Sequence, residues 1–178
     1  MESIKGVNVT GKRVIVRVDY NVPITDGKID DDTRIIASLR TINYLIDKKA
    51  KIILLSHLGR IKSQADKEKN SLEVVARHLS TLVSCGIYFV PFTRGELVEK
   101  TIQNMNDGEI VILENTRYED YPKSLESSCD EALSKYWASL GDIFVLDAFG
   151  SAHRCHASTY GISKFLPSYS GFLIDNEV

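Results

Sequence analysis

The apolar pattern of the chain predicts an α/β domain, a parallel β-sheet flanked by helices on both faces. Short, near-continuous apolar runs of strand length recur along the sequence, and helical patterns separate them. Polar and cationic groups stand directly after most of those runs, at the strand ends where such sheets bind ligands.

Residues 13–18, Arg-Val-Ile-Val-Arg-Val, are β-branched and read as the first strand. Residues 32–48 set Ile35, Leu39, Ile42 and Ile46 on one helical stripe, with Asp30, Asp31 and Asp32 at its positive end. Residues 51–55 form the second strand. Residues 61–70 are polar and lysine-rich and read as an exposed loop. Ser71 suits the N-cap of a helix over 72–82, whose inward face is Leu72, Val75, Leu79 and Leu82. A third strand over 87–90, a helix over 95–105 and a fourth strand over 109–113 follow. Residues 119–128 are a polar connection. A helix over 130–140 precedes Gly141, placed as its stop, and residues 142–146 are the fifth strand. Helical pieces around 160–166 end at Pro167. The alternation amounts to a Rossmann-like three-layer sandwich.

A length of 178 residues suffices for one domain with a proper core. Hydrophobic residues at 43% and charged residues at 26% describe an ordinary soluble chain. The formal net charge of −2 argues against a general nucleic-acid binder. Cys85, Cys129 and Cys155 are odd in number and contain no C-x-x-C, which disfavours a disulfide framework and points to a reducing compartment. The first residues lack the apolar core of a signal peptide, and no run reaches membrane-spanning length. The expectation is a cytoplasmic monomer with neither a membrane nor a nucleic-acid partner.

The chemistry follows the strands. Asp19-Tyr20-Asn21-Val22-Pro23 follows the first, Ser56-His57-Leu58-Gly59-Arg60 the second and Glu114-Asn115-Thr116-Arg117-Tyr118 the fourth. After the fifth comes Asp147-Ala148-Phe149-Gly150-Ser151-Ala152-His153-Arg154. Arg34, opening the first helix, reaches the same rim. Guanidinium groups offer planar forks of donors that pair with phosphate or carboxylate, and a cluster of them repels itself unless an anion fills it. Asp19 and Asn21 are acceptors for a hydroxyl. Structural readings stand beside these: Arg17 pairing with Asp19 or Asp147, Asp19 capping a turn, Asp147 organising His153 or Arg154, His78 a solvated bystander. His153, Cys155 and His156 are too tightly spaced for a closed zinc site, so no metal is expected. Neither G-x-x-x-x-G-K-[ST] nor G-x-G-x-x-G occurs, so the sequence displays no nucleotide site.

Together these motifs resemble the N-terminal domain of the phosphoglycerate kinase family. The matching stretches, in family order, are Arg17-Val18-Asp19-Tyr20-Asn21-Val22-Pro23, Asp32-Thr33-Arg34-Ile35, those after the second and fourth strands, and 147–158 through Cys155-His156-Ala157-Ser158. The resemblance implies a two-domain glycolytic phosphotransferase acting between 1,3-bisphosphoglycerate and ADP with magnesium. Residues 1–178 would be the single N-terminal domain binding 3-phosphoglycerate. The C-terminal nucleotide domain, which holds Mg-ATP or ADP in the family, would be this chain's missing partner. Carried over by motif, Asp19 and Asn21 would bind the hydroxyl and carboxylate end. Arg34, His57, Leu58, Gly59, Arg60, Arg117, His153 and Arg154 would complete the substrate site, and Arg34 would face the transferring phosphoryl group. The chain alone would bind substrate without turning over. It departs from the family at Leu146 (usually asparagine), Ile61 and Arg40 (often proline), and Leu146 is expected to loosen one strand end. Two other readings stay open: a small phosphatase using Asp19 as nucleophile, since Asp19-x-Asn21 is similar to the Asp-x-Asp of haloacid-dehalogenase-like enzymes, and a non-catalytic binding module.

Overall fold

β1 (Arg13–Val18) buries Val14, Val16 and Val18 in one core and Ile15 in another, the alternation of a strand covered on both faces. The computed structural model describes residues 1–149 and 155–175. After β1 come a hairpin of β2 (Ile24–Thr25) and β3 (Lys28–Ile29), then α1 (Thr33–Asp47) and β4 (Lys51–Leu55). Next are α2 (Gln64–Lys69), α3 (Glu73–Ser80), β5 (Ile87–Val90), α4 (Glu96–Asn104) and β6 (Ile110–Leu113). A 3₁₀ turn (Thr116–Asp120), α5 (Glu131–Ala138) and β7 (Ile143–Asp147) follow. A π-helical turn (Ala157–Gly161), β8 (Ser168–Ser170) and α6 (Phe172–Asp175) complete the described chain.

Six strands form one sheet in the order β5-β6-β4-β1-β7-β8, with every neighbouring pair parallel. All carboxyl ends therefore lie on one edge. Register keeps those ends level: Val16 sits beside Leu54 and Val145, and Leu54 beside Ile112. The chain runs outward from β1 to one side through β4 and to the other through β7, and such a divergence opens a crevice at the carboxyl edge. Ile52, Leu54, Ile110 and Ile112 pack with Ile35, Ile42, Val75 and Leu79 on one face. Ile53, Leu55, Val111 and Leu113 pack with Val98, Leu133 and Trp137 on the other. Among the described residues no helix is long and apolar enough to cross a membrane.

All five predicted strands are present, with the fourth starting at Ile110 and the fifth extending through Asp147. The β2–β3 hairpin was not anticipated. Its turn is Asp26-Gly27 with φ of 51° and 74°, the pair of positive values that a two-residue hairpin turn requires. β8, polar and three residues long, gave no hydrophobic signal. The expected loop over 61–70 contains α2, started by Ser63, whose side chain accepts from the Asp66 amide. Ile61 is buried at 4% exposure.

α1 buries Ile35, Ser38, Thr41, Ile42 and Leu45, while Leu39 and Ile46 are only half-buried. The helix is rotated toward two hydroxyls because both have partners inside. Ser38 and Tyr20 share a hydroxyl–hydroxyl bond of 2.8 Å, and Thr41 Oγ1 accepts from the Phe172 amide at 3.0 Å. Gly141 does not stop α5 through a left-handed conformation. It lies where a Cβ would come within 2.6 Å of Ile15, so close passage against β1 is its requirement. Leu146 is only 8% exposed, and its carbonyl accepts from the Gly171 amide at 2.9 Å, so this strand end is tied rather than loose. His78 is no solvated bystander: half-buried, it bonds Asp32 through Nε2 at 2.8 Å and links α3 to the start of α1.

Candidate functional site

The loops after β1, β4 and β6 leave three adjacent strands at one level, and hydrogen bonds lock them to each other. The Asn21 amide donates to Asp19 Oδ1 at 3.1 Å. The Gly59 amide donates to Asn21 Oδ1 at 2.8 Å, joining the first loop to the second. Ser56, fully buried, accepts from the Tyr20 amide at 2.9 Å. Gly59 has φ +62°, and a side chain there would meet Asn70 at 2.9 Å, so glycine is required on both counts. Asn115, also fully buried, joins the second loop to the third. Its Oδ1 accepts from the Leu58 amide at 3.1 Å and the Arg117 amide at 3.0 Å, and its Nδ2 donates to Leu58 O at 2.7 Å and Asn70 O at 2.9 Å.

Cations stand on this frame. Arg34 Nη1 donates to the Asn21 carbonyl at 2.8 Å and to Asp19 Oδ1 at 3.3 Å, while the side chain stays 53% exposed. One nitrogen thus anchors Arg34 on the first loop, and among the described residues the other two have no hydrogen-bond partner. Arg117 is half-buried, and its Nε is sealed from solvent with no partner among the described residues. Such an unmatched donor is costly unless a ligand or water accepts from it. Arg60 is exposed. His57 is half-buried, with Nδ1 2.7 Å from Arg17 Nη2.

Arg17 lies wholly inside the protein. Its Nε donates to Ser158 Oγ at 2.8 Å and its Nη1 to the Val18 carbonyl. Burial pushes its pKa down; Glu126 and then Asp19 oppose that, and Arg117 adds to it. Arg17 therefore does not simply pair with Asp19 or Asp147. The carboxylate that matters most is Glu126, also fully buried, whose oxygens accept from the Ser158 amide at 2.8 Å and hydroxyl at 2.5 Å.

His156 is buried at 7% exposure, and its Nδ1 has no partner among the described residues. Burial foremost, with Arg117 and Arg17 adding to it against the pull of Glu126, depresses its pKa below 6.5. The unfolded chain then takes up a proton near pH 6.5 that the folded chain resists. His156 should therefore cost stability as pH falls below about 6.5 toward the depressed folded value, with no penalty above. Urea midpoints for the chain and for His156→Gln at pH 7.5 and 5.5 check this. The wild type should lose more stability on acidification, and equal losses would remove His156 from the account.

The structure brings Asp19, Asn21, Arg34, His57, Gly59 and Arg117 to one rim; His153 and Arg154 lie outside the described residues. Leu58 is a different case. Its side chain is in the core and both backbone groups are bonded to Asn115, so it holds the loop while lining the same pocket as Asn21 and Gly59. Arg17, Asn115, Glu126, Ser158 and His156 were not anticipated as parts of the site. An arginine inside an otherwise apolar strand was the one available signal, and it did not reveal its partners.

The family model described as phosphoglycerate kinase matches residues 4–178. The phosphoglycerate kinase of Enterococcus faecalis is 51% identical over 178 residues, covering 99% of this chain and 45% of that protein. That of Listeria welshimeri is 51% identical over 175 residues, covering 98% and 44%. The solved phosphoglycerate kinase of Pyrococcus horikoshii superposes with TM-score 0.87 at 34% identity, over 99% of this chain and 44% of the other. The enzyme from Coxiella burnetii gives 0.84 at 35%, over 99% and 42%. The chain thus spans less than half the length of these relatives.

Proposed function

The chain belongs to the phosphoglycerate kinase family, and from that premise we propose that it forms the half that holds 3-phosphoglycerate or 1,3-bisphosphoglycerate during reversible phosphoryl exchange with ADP. The observation that carries this reading is the convergence of Arg34, His57 and Arg117 at the carboxyl ends of three adjacent strands. Arg117 and the buried Arg17 repel each other, a field that an anion at the rim would relieve.

In this proposal Asp19 and Asn21 receive the substrate hydroxyl and carboxylate end, and Arg34, His57, Arg60, Arg117, His153 and Arg154 surround its phosphate. Gly59 lets the backbone turn close to the ligand. Arg34, tethered at Nη1, turns its open fork toward the group in transfer. Phosphoryl transfer needs little covalent help from protein. It needs reactants in line and positive charge where negative charge spreads. The magnesium nucleotide is assigned to the part of the family's length that this chain does not span. An Asp19 nucleophile loses ground, since the family is one of phosphoglycerate kinases and Asp19 Oδ1 already accepts from Asn21 and Arg34.

The test is an NMR titration with 3-phosphoglycerate, with magnesium ATP as control. Shifts are expected around Asp19, Arg34, His57 and Arg117, with little response to ATP. Affinity should fall as salt rises, because added ions screen exposed arginines over about 8–10 Å at 0.10–0.15 M. Silence toward 3-phosphoglycerate, or salt-independent binding, would place the site elsewhere. A pure polypeptide of these 178 residues should bind without turnover, and appreciable kinase activity would overturn that division of labour.

A further inference from the structure

We infer that Arg17 is a positioning residue that fixes His57 as the Nε2–H tautomer, and that Glu126 and Ser158 hold Arg17 in the orientation that does so. The chemistry of the 2.7 Å contact decides the tautomer. A guanidinium has only donors, so the ring nitrogen facing it must accept. Nδ1 of His57 is that nitrogen, and the ring proton is therefore on Nε2.

Arg17 has little freedom to turn away. Ser158 takes Nε, the Val18 carbonyl takes Nη1, and His57 takes Nη2, so each nitrogen of the fork has a partner. Ser158 is fixed in turn by two bonds to Glu126, whose buried charge offsets that of Arg17. Ser158 lies in the π-helical turn Ala157–Gly161, a local irregularity of the kind that often marks functional sites. The chain of contacts runs from the carboxylate through the hydroxyl and the guanidinium to the imidazole.

The consequence rests on the anion-site reading above. His57 enters the rim as a neutral donor, with a cation behind it polarising its Nε2–H. It can then bond a substrate oxygen without adding another full charge to a crowded basic site. Arg17, wholly buried, acts on substrate through His57.

The decisive measurement is the long-range proton–nitrogen correlation pattern of His57 in the unliganded chain with ¹⁵N-labelled histidine, assigned by its disappearance in His57→Asn. A bare Nδ1 and a protonated Nε2 are expected; the opposite tautomer, or an averaged mixture, overturns the inference. Arg17→Met should convert the pattern to an averaged one and Arg17→Lys should restore part of it. A folded Arg17→Met with an unchanged pattern also overturns the inference. If Arg17→Met does not give a folded spectrum, Ser158→Ala decides, because it frees Nε and should shift the pattern partway; no shift refutes the holding role. None of these readouts needs substrate. The expected tautomer together with failure to bind 3-phosphoglycerate would sink the proposed function and leave this inference standing.

Discussion

Replacing Arg34 by alanine, in an enzyme that pairs this chain with a family nucleotide domain, is expected to lower kcat on the order of 10³-fold. Affinity for 3-phosphoglycerate should change far less. Arg34 is fastened through Nη1 to the Asn21 carbonyl and Asp19, while its side chain stays 53% exposed. A cation held this way at the rim needs no reorganisation when charge develops on the phosphoryl oxygens. It therefore contributes more to the transition state than to the ground state. Steady-state kinetics with both substrates varied separates the two contributions. Equal losses in kcat and in binding would mean that Arg34 only positions substrate. Lysine at this position should recover only part of the rate, because it supplies the charge without the planar fork.

Glu126→Ala should be the most damaging single change to folding among those outside the apolar cores, costing about 3–5 kcal/mol. Glu126 is the strongest favourable charge acting on Arg17, and both groups are fully buried. Its removal leaves the buried guanidinium with only the weaker compensation of Asp19, and the Ser158 amide and hydroxyl without their acceptors. Urea unfolding of the two chains measures the loss, and a difference below about 1 kcal/mol would show that water replaces the carboxylate. The double variant Arg17→Met with Glu126→Leu should be less destabilised than the sum of the two single changes, since it removes both buried charges together. Additive losses would mean that the residues do not act as a pair.

The difference between what was legible and what was not has a simple pattern. The first, second and third strands were placed to the residue because β-branched apolar runs carry their own signal within a few positions. The hairpin was legible too, in Asp26-Gly27, but its strands are only two residues each and no periodicity drew attention to them. The helical stripe of α1 was misjudged by one position because Ser38 and Thr41 are buried by partners in Tyr20 and the Phe172 backbone. Polar residues are scored as surface unless their partners are known.

The sequence by itself determined the layered α/β fold, its five main strands, and a rim bearing Asp19, Asn21, Arg34, His57 and Arg117. Those features are local: a strand's run and the polar group ending it lie side by side in the chain, and a parallel sheet brings such ends to one edge. Only the tertiary structure decided how the rim is held. Arg17 reaches its Ser158 partner across 141 positions, and Asn115 secures Leu58 across 57. Nothing in the composition or period of either segment encodes those pairings. They arise because burying a polar group is costly until a partner is found, and the partner is whichever residue the fold delivers.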